Sequence, residues 1–276
     1  MNILKNIAYK NLQLNKKRNI VTVIGIILSV ALITALSSLV VSFKESIINL
    51  EKHINGDFHY SFDGVQSNDL GIFENNRSIE NFYKVGTLGY AKINTENEYK
   101  PYAYVITMDK NDFDSVGIEL TDGELPKNNN EIIIPRHLRN NGKVDLKVGD
   151  TITLEVGSRM SEGYALGQNN PYEETNNETI ENTVSVTYKV VGIFERPSTA
   201  LEPFSSPGYT FITTNASGVK NYTVFARYTK DGLKNQYKVT AGILGVNEKV
   251  LKKNIQEFNY KEVNEKEQGK SKFYFD

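Results

Sequence analysis

Cysteine and tryptophan are both absent from this 276-residue chain, and histidine occurs three times. Without cysteine there is no disulfide framework, which excludes a stapled miniature scaffold and any chemistry that needs a thiolate. Nor is there an excess of charge: 32 Lys and Arg stand against 33 Asp and Glu, a net charge of −1. Nucleic-acid binding works through a basic field, and local basicity here is confined to an N-terminal arm, so no nucleic-acid partner is expected. Sixteen tyrosines without a tryptophan, with many Lys, Asn and Ile, point to a low-GC bacterial genome.

One stretch organises what is present. Ile20 to Val41 carries no charged residue, and fourteen of its residues are Ile, Leu or Val. At 1.5 Å per residue about 20 apolar residues cross a hydrocarbon core roughly 30 Å thick. Each Ile, Leu or Val contributes about −0.3 to −0.6 kcal/mol to insertion and no charge opposes them, which predicts a transmembrane helix over 19–43. Two other readings compete: a buried core helix, and a signal peptide cleaved after the small-x-small run Ala35-Leu36-Ser37. The apolar run continues through Leu39, Val40 and Val41, which favours a retained anchor. Lys5, Lys10, Lys16, Lys17 and Arg18 precede the span without an acidic residue among them, whereas charges of both signs follow it. The positive-inside bias puts the N-terminus in the cytoplasm and the main domain outside a bacterial cell membrane.

Residues 1–18 gather Ile3, Leu4, Ile7, Ala8 and Leu14 near one helical face, as an interfacial helix on the inner leaflet would; a disordered basic anchor is the alternative. Within the span Gly25 and Ser29, Ala31 and Ala35, and Thr34 and Ser38 form small-xxx-small pairs that allow another helix to approach. Ile47, Ile48, Leu50 and Ile54 extend the helical spacing into a stalk over 44–56, stopped by Gly56-Asp57. A strand from Phe58 to Phe62 ending at Asp63-Gly64, a helix around 70–82 and strands at 84–93 and 99–108 follow. The pattern of a strand at 222–228, then helices at 231–244 and 248–258, returns near the end. The fold class expected is therefore α+β: one N-terminal transmembrane helix, then an extracytoplasmic domain of two mixed α/β and β-rich subdomains. Residues 57–110 and 216–258 form the first, and 111–215 a strand-rich insert. In that insert Asp122-Gly123 reads as a turn, 131–135, 151–156, 184–190 and 209–213 as strands, Val191-Gly192-Ile193 as a bulge, and 157–183 as a long polar connection. Residues 259–276 read as a linker leading away from the core.

Sites of chemistry are sparse. Gly269-Lys270-Ser271 resembles the end of a phosphate loop without its first glycine or preceding strand, and Asp109, Asn111, Asp112 and Asp114 form a calcium-loop fragment without its glycine and terminal glutamate. His53, His59 and His137 are scattered, and no Gly-x-Ser-x-Gly elbow occurs, so no catalytic residue, cofactor or metal is expected.

The basic Asn15-Lys16-Lys17-Arg18 before the span, Asp122-Gly123-Glu124-Leu125-Pro126 with Asn130-Glu131-Ile132-Ile133-Ile134, Leu146-Lys147-Val148-Gly149-Asp150-Thr151, and Tyr188-Lys189-Val190-Val191-Gly192-Ile193, in that order, resemble FtsX-like ABC transporter permeases of the MacB type. The resemblance covers essentially the whole chain. It implies a permease subunit that moves an outer domain through the stalk when a separate cytoplasmic ATPase subunit hydrolyses ATP, with a second permease copy and the lipid bilayer as further partners. Export or extraction of a peptide, lipid or lipoprotein is the implied task. The family carries three more spans after this domain, so the resemblance also implies a truncated permease, a fragment or a shortened relative. A single-pass anchored binding or sensor module is the other reading, and an anchored enzyme a third that no constellation supports.

Overall fold

A computed structural model describes residues 3–113, 115–219, 221–253 and 271–274. The chain divides into two compact units, Met1–Glu51 and Lys52–Asp276.

The first unit is helical. Helix α1, Ile3–Leu14, is followed after Asn15 by α2, Lys16–Asn55, whose last four residues belong to the second unit. Asn15 and Asn19 dress the break, their side-chain amides donating to the Asn11 and Leu12 carbonyls at 3.2 and 3.3 Å. From Lys16 to Lys52 α2 is long and apolar enough to cross a membrane, with a mean hydropathy of 2.6 over its most apolar stretch. The hydroxyls inside this stretch do not break its apolar character. Thr22, Ser29, Thr34 and Ser37 each donate to the carbonyl four residues back, at 2.8–3.0 Å, so their polarity is satisfied within the helix. Gly56, at φ +86°, ends the helix in a conformation that favours glycine.

The second unit is a mixed sheet with helices on part of one face, so the chain is α+β. Its strands are β1 Tyr60–Gln66, β2 Ile79–Lys92, β3 Tyr102–Met108, β4 Leu120–Gly123, β5 Glu131–Pro135, β6 Thr151–Ser161, β7 Tyr164–Ala165, β8 Thr179–Phe194, β9 Gly208–Thr213, β10 Asn221–Tyr228 and β11 Ser271–Tyr274. They run in the order β11-β1-β10-β2-β3-β9-β5-β8-β6-β7, with β4 on β8. A further pairing, Tyr90 with Gly157, joins β2 to β6 and closes β2, β3, β9, β5, β8 and β6 into a ring. Strand β2 serves both halves of the sheet: 79–86 pair with β10, and 85–92 pair with β3. The seam depends on glycine. A Cβ on Gly89, at φ +141°, would lie 2.4 Å from the Gly157 carbonyl oxygen, and one on Gly157 would lie 2.4 Å from that of Glu181. Both strands carry a register shift there, so each bends where they meet.

Alternation along these strands separates two cores. Ala103 and Val105 of β3, Ile132 and Ile134 of β5, and Tyr209 and Phe211 of β9 pack with residues of β2, β6 and β8 in one cluster. The intervening Ile106, Met108, Ile133 and Ile212 join Phe58, Tyr83, Phe113, Phe194 and Phe225 in another. A third core puts Phe62, Val65, Val224 and Tyr228 under α3 Leu70–Glu74, α5 Lys230–Lys234 and α6 Gln236–Ile243.

Several local expectations are corrected. The 70–82 helix stops at Glu74, because Ile79 to Phe82 are taken into β2 by pairing with β10. Asp63-Gly64 does not end β1 but forms a bulge, with Gly64 at φ +77°, through which the strand continues to Gln66. Asp122-Gly123 closes β4 rather than making a free turn. The 157–183 connection gives its ends to β6 and β8, and the 231–244 helix breaks at Asn235 into α5 and α6. Residues 248–253 are helical, and 254–258 lie outside the described residues, as do Asp114 and 259–270. Ser271 to Tyr274, expected in a linker leading away, instead pair in parallel with Tyr60 to Asp63.

Candidate functional site at the helix end and the polar cluster behind it

The end of α2 is fastened to the sheet by a short chain of contacts within the second unit. Helices leave their last carbonyls unpaired. Here the Ile54 carbonyl receives the Thr199 amide at 2.8 Å, Asn55 Oδ1 receives the Thr199 hydroxyl at 2.6 Å, and Gly56 N bonds back to the Lys52 carbonyl at 2.8 Å. Asp57, next in line, takes Lys52 at 3.2 Å and the Arg227 guanidinium, whose Nε reaches Glu80 at 3.2 Å. Phe58 then packs edge-on to Phe225, ring centroids 4.7 Å apart. Burial, with the nearby Asp57 and Asp112 carboxylates, pushes the Tyr83 hydroxyl far above its ordinary range.

Thr199 lies in the proline-containing loop between β8 and β9, and three residues on, that loop is locked from inside. Glu202 has no exposed surface. Its carboxylate accepts from His137 Nε2 at 2.6 Å, from Lys100 Nζ at 3.1 Å and from the Thr210 amide at 2.8 Å. His137 begins α4, His137–Gly142, and Thr210 sits in β9. Burial by itself would raise the Glu202 carboxyl; His137, Lys100 and the Thr210 amide overcome it and hold the group down at about 2. Burial lowers the Lys100 amine in spite of Glu202. The two directions are consistent: the carboxylate collects three partners, while the ammonium gives its other protons to the Ser206 carbonyl and hydroxyl at 2.9 and 2.6 Å. Five buried side-chain polar atoms lack a partner among the described residues, and four belong here: His137 Nδ1, Arg196 Nε, Ser198 Oγ and Thr210 Oγ1. Arg196 Nε is 3.8 Å from the Glu202 carboxylate, too far for a hydrogen bond.

A second anchor holds the loop after β7. Arg159, 1% exposed, bonds through Nε and one terminal nitrogen to Glu178 at 2.7 and 2.5 Å, and through both terminal nitrogens to the carbonyls of Gly167, Asn170 and Pro171 at 2.8–3.2 Å. All five guanidinium donors are thereby used. Between this loop, the Thr199 loop and the sheet face of β1, β2, β3 and β10 lies a cleft of about 610 Å³.

Of the residues singled out from sequence, Lys16, Lys17 and Arg18 form the exposed first turn of α2, and Gly25, Ser29, Ala31 and Ala35 lie along it. At 3.6 residues per turn these two small-residue pairs lie on strips roughly 120° apart. His59 Nδ1 accepts from the Tyr228 amide at 2.9 Å while His137 serves Glu202, so these two have separate tasks; the His53 side chain lies outside the described ones. Asp109 pairs with Lys84 at 3.3 Å in the turn after β3. Gly269 and Lys270 lie outside the described residues. Among the described residues no three His, Asp or Glu side chains converge as a metal ion requires. Sequence reasoning missed Glu202, Lys100, Arg159 and Glu178. The one available signal was the Gly157 bulge, which shifts the buried phase of β6 from Leu154 and Val156 to Arg159.

An apolar helix long enough to cross a membrane runs directly into a strand-rich domain, the organisation of a membrane-anchored protein. Residues 20–241 match the family model of the MacB-like periplasmic core domain, so the chain belongs to that family of ABC-transporter permeases. No curated relative matches. Three solved structures are similar over much of their length. A domain of a putative permease protein from Porphyromonas gingivalis is 16% identical, covering 74% of this chain and 78% of its own, with a TM-score of 0.35. The extracellular domain of the noncanonic ABC-type transporter YknZ from Gram-positive bacteria is 8% identical (67% and 87% covered, TM-score 0.38). The periplasmic region of MacB from Actinobacillus actinomycetemcomitans is 10% identical (70% and 84% covered, TM-score 0.38).

Proposed function

We propose that the chain is the first-span and outer-domain part of a permease subunit, and that it transmits ATP hydrolysis by a separate cytoplasmic ATPase to the outer domain through α2. The observation that carries this reading is mechanical. Helix α2 runs without a break from Lys16 to Asn55, and its end is bonded through Thr199 to the loop that Glu202 locks into the sheet. A displaced helix end therefore pulls on β9 and α4 rather than on a slack linker. The cargo is a peptide, lipid or lipoprotein moved outward or out of the membrane. A second permease copy packs through Gly25 and Ser29 or through Ala31 and Ala35.

The N-terminus is cytoplasmic. Lys16, Lys17 and Arg18 in the first turn of α2, with no acidic residue beside them, support this orientation, because basic residues next to a span are retained on the cytoplasmic side.

Helix continuity is the testable element. Proline at Ser46 removes a backbone donor and clashes with the preceding turn, at about 3 kcal/mol. In the complete transporter reconstituted in vesicles, Ser46→Pro should lower transport per ATP hydrolysed severalfold while insertion and ATPase binding persist, and Ser46→Ala should be silent. Equal coupling ratios would mean that the stalk only tethers the domain, and an anchored binding module would become the better account.

A further inference from the structure

The cleft of about 610 Å³ is the size of a ligand site, and its walls are fixed before any ligand arrives. One wall is the loop held by Arg159, and by Gln168, whose side chain exchanges two hydrogen bonds with the Gly208 backbone at 3.0 and 3.2 Å. The other wall is the Thr199 loop locked by Glu202. Between them the sheet presents aromatic faces and short polar groups. Tyr90 and Tyr104 lie with ring centroids 4.8 Å apart, the Tyr104 hydroxyl bonds Thr87 at 2.8 Å, and Thr223 donates to Asp63 at 2.7 Å. The buried Tyr90 hydroxyl has no hydrogen-bond partner among the described residues. The described lining includes side-chain amides and hydroxyls, a single carboxylate and no Lys, Arg or His. Rigid tyrosines with adaptable amides and hydroxyls are the composition that binds polypeptide surfaces. Without a cation it has nothing to neutralise a phosphate or carboxylate.

We infer that this cleft binds a short polypeptide segment of neutral or positive charge. The inference deepens the transport reading and rests on it, because a segment held there touches the same loop that bonds the end of α2 and is placed to be cargo.

The test uses the full chain in lipid nanodiscs and three fluorescently labelled, end-blocked tetrapeptides that share one phenylalanine and otherwise carry lysine, serine or glutamate, with binding read by anisotropy. The lysine and serine peptides should bind at least tenfold more tightly than the glutamate peptide. Thr87→Trp, an exposed position in the cleft, should weaken both at least tenfold with the thermal transition unchanged. Should that variant lose its transition, Tyr104→Phe decides, with a loss of about threefold expected; unaltered binding in Tyr104→Phe overturns the assignment. Equal binding of the glutamate peptide, no binding of any peptide at millimolar concentration, or insensitivity to Thr87→Trp in folded protein also overturns it. Displacement of bound lysine peptide by short-chain phosphatidylglycerol would assign the cleft to lipid and sink the peptide reading. None of these outcomes touches the Ser46→Pro coupling ratio, so the cleft and the stalk fail separately.

Discussion

Replacing Glu202 by glutamine keeps the shape of the side chain and deletes its charge. Lys100, whose side chain is 8% exposed, then loses its counter-ion, and the new amide presents a donor to a cluster already rich in donors. Removing one partner of a buried ion pair costs about 3–5 kcal/mol. The depression of the Glu202 carboxyl, from its ordinary 4.5 to about 2, gives an independent figure of about 3 kcal/mol at neutral pH. For a unit of this size, 1 kcal/mol moves the unfolding midpoint by about 2–4 °C, so Glu202→Gln should melt roughly 10 °C below the native chain at pH 7. The pH dependence follows from the sign of the shift. A carboxyl depressed in the folded state contributes its full stability above the ordinary value of 4.5 and loses it as pH falls through about 2. The gap between native and variant midpoints, followed by circular dichroism in one detergent, should narrow as pH falls below 4.5 and close as pH approaches 2. The other carboxylates are common to both chains and cancel in the difference. An unchanged midpoint at pH 7, or a gap that persists undiminished at the acid end, would refute the role given to this cluster.

Gly89→Ala should cost about 3 kcal/mol, combining a backbone conformation unfavourable to alanine with a methyl driven against the Gly157 carbonyl, whereas Gly242→Ala in α6, with open space around it, should be neutral or slightly stabilising; urea unfolding distinguishes them. Protease added outside wall-stripped cells should digest residues beyond about 52 and spare the N-terminal arm; a protected outer domain would reverse the orientation argued from Lys16, Lys17 and Arg18.

Local features of this chain were legible and long-range ones were not, and the difference is physical. The span could be read because a lipid-facing helix is apolar on every side, and its end could be read because Gly56 and Asp57 interrupt the pattern at the place where the backbone turns to φ +86°. The strands at 131–135, 184–190 and 209–213 announced themselves by composition. The ring did not, because it depends on Tyr90 meeting Gly157, a pairing that no local preference encodes. The polar anchors were hidden for a related reason. Glu202, Lys100 and Arg159 are residue types that are ordinarily exposed, and only the partners brought by β9, α4 and Glu178 make their burial tolerable.

The four outer-domain stretches that carried the family resemblance illustrate what a motif can say. Residues 122–126, 130–134, 146–151 and 188–193 are up to about seventy positions apart, yet all meet at β8. The Glu124 amide bonds the Val191 carbonyl at 2.9 Å, the Lys189 amide bonds the Asn130 carbonyl at 2.8 Å, and Gly149 N and the Asp150 carbonyl bond the two sides of Val190, each at 2.8 Å. Glycine is required at the crossing. A Cβ on Gly123 would lie 2.1 Å from the Val191 carbonyl oxygen, and one on Gly192 would lie 2.6 Å from that of Glu124. Each of these stretches looks like ordinary turn chemistry alone, and together they specify one junction where several segments are bonded to a single strand. None of them lines the cleft. The resemblance therefore identifies how the domain is built, while what it recognises has to be sought in residues such as Tyr90, Thr87 and Tyr104 that the motifs do not contain.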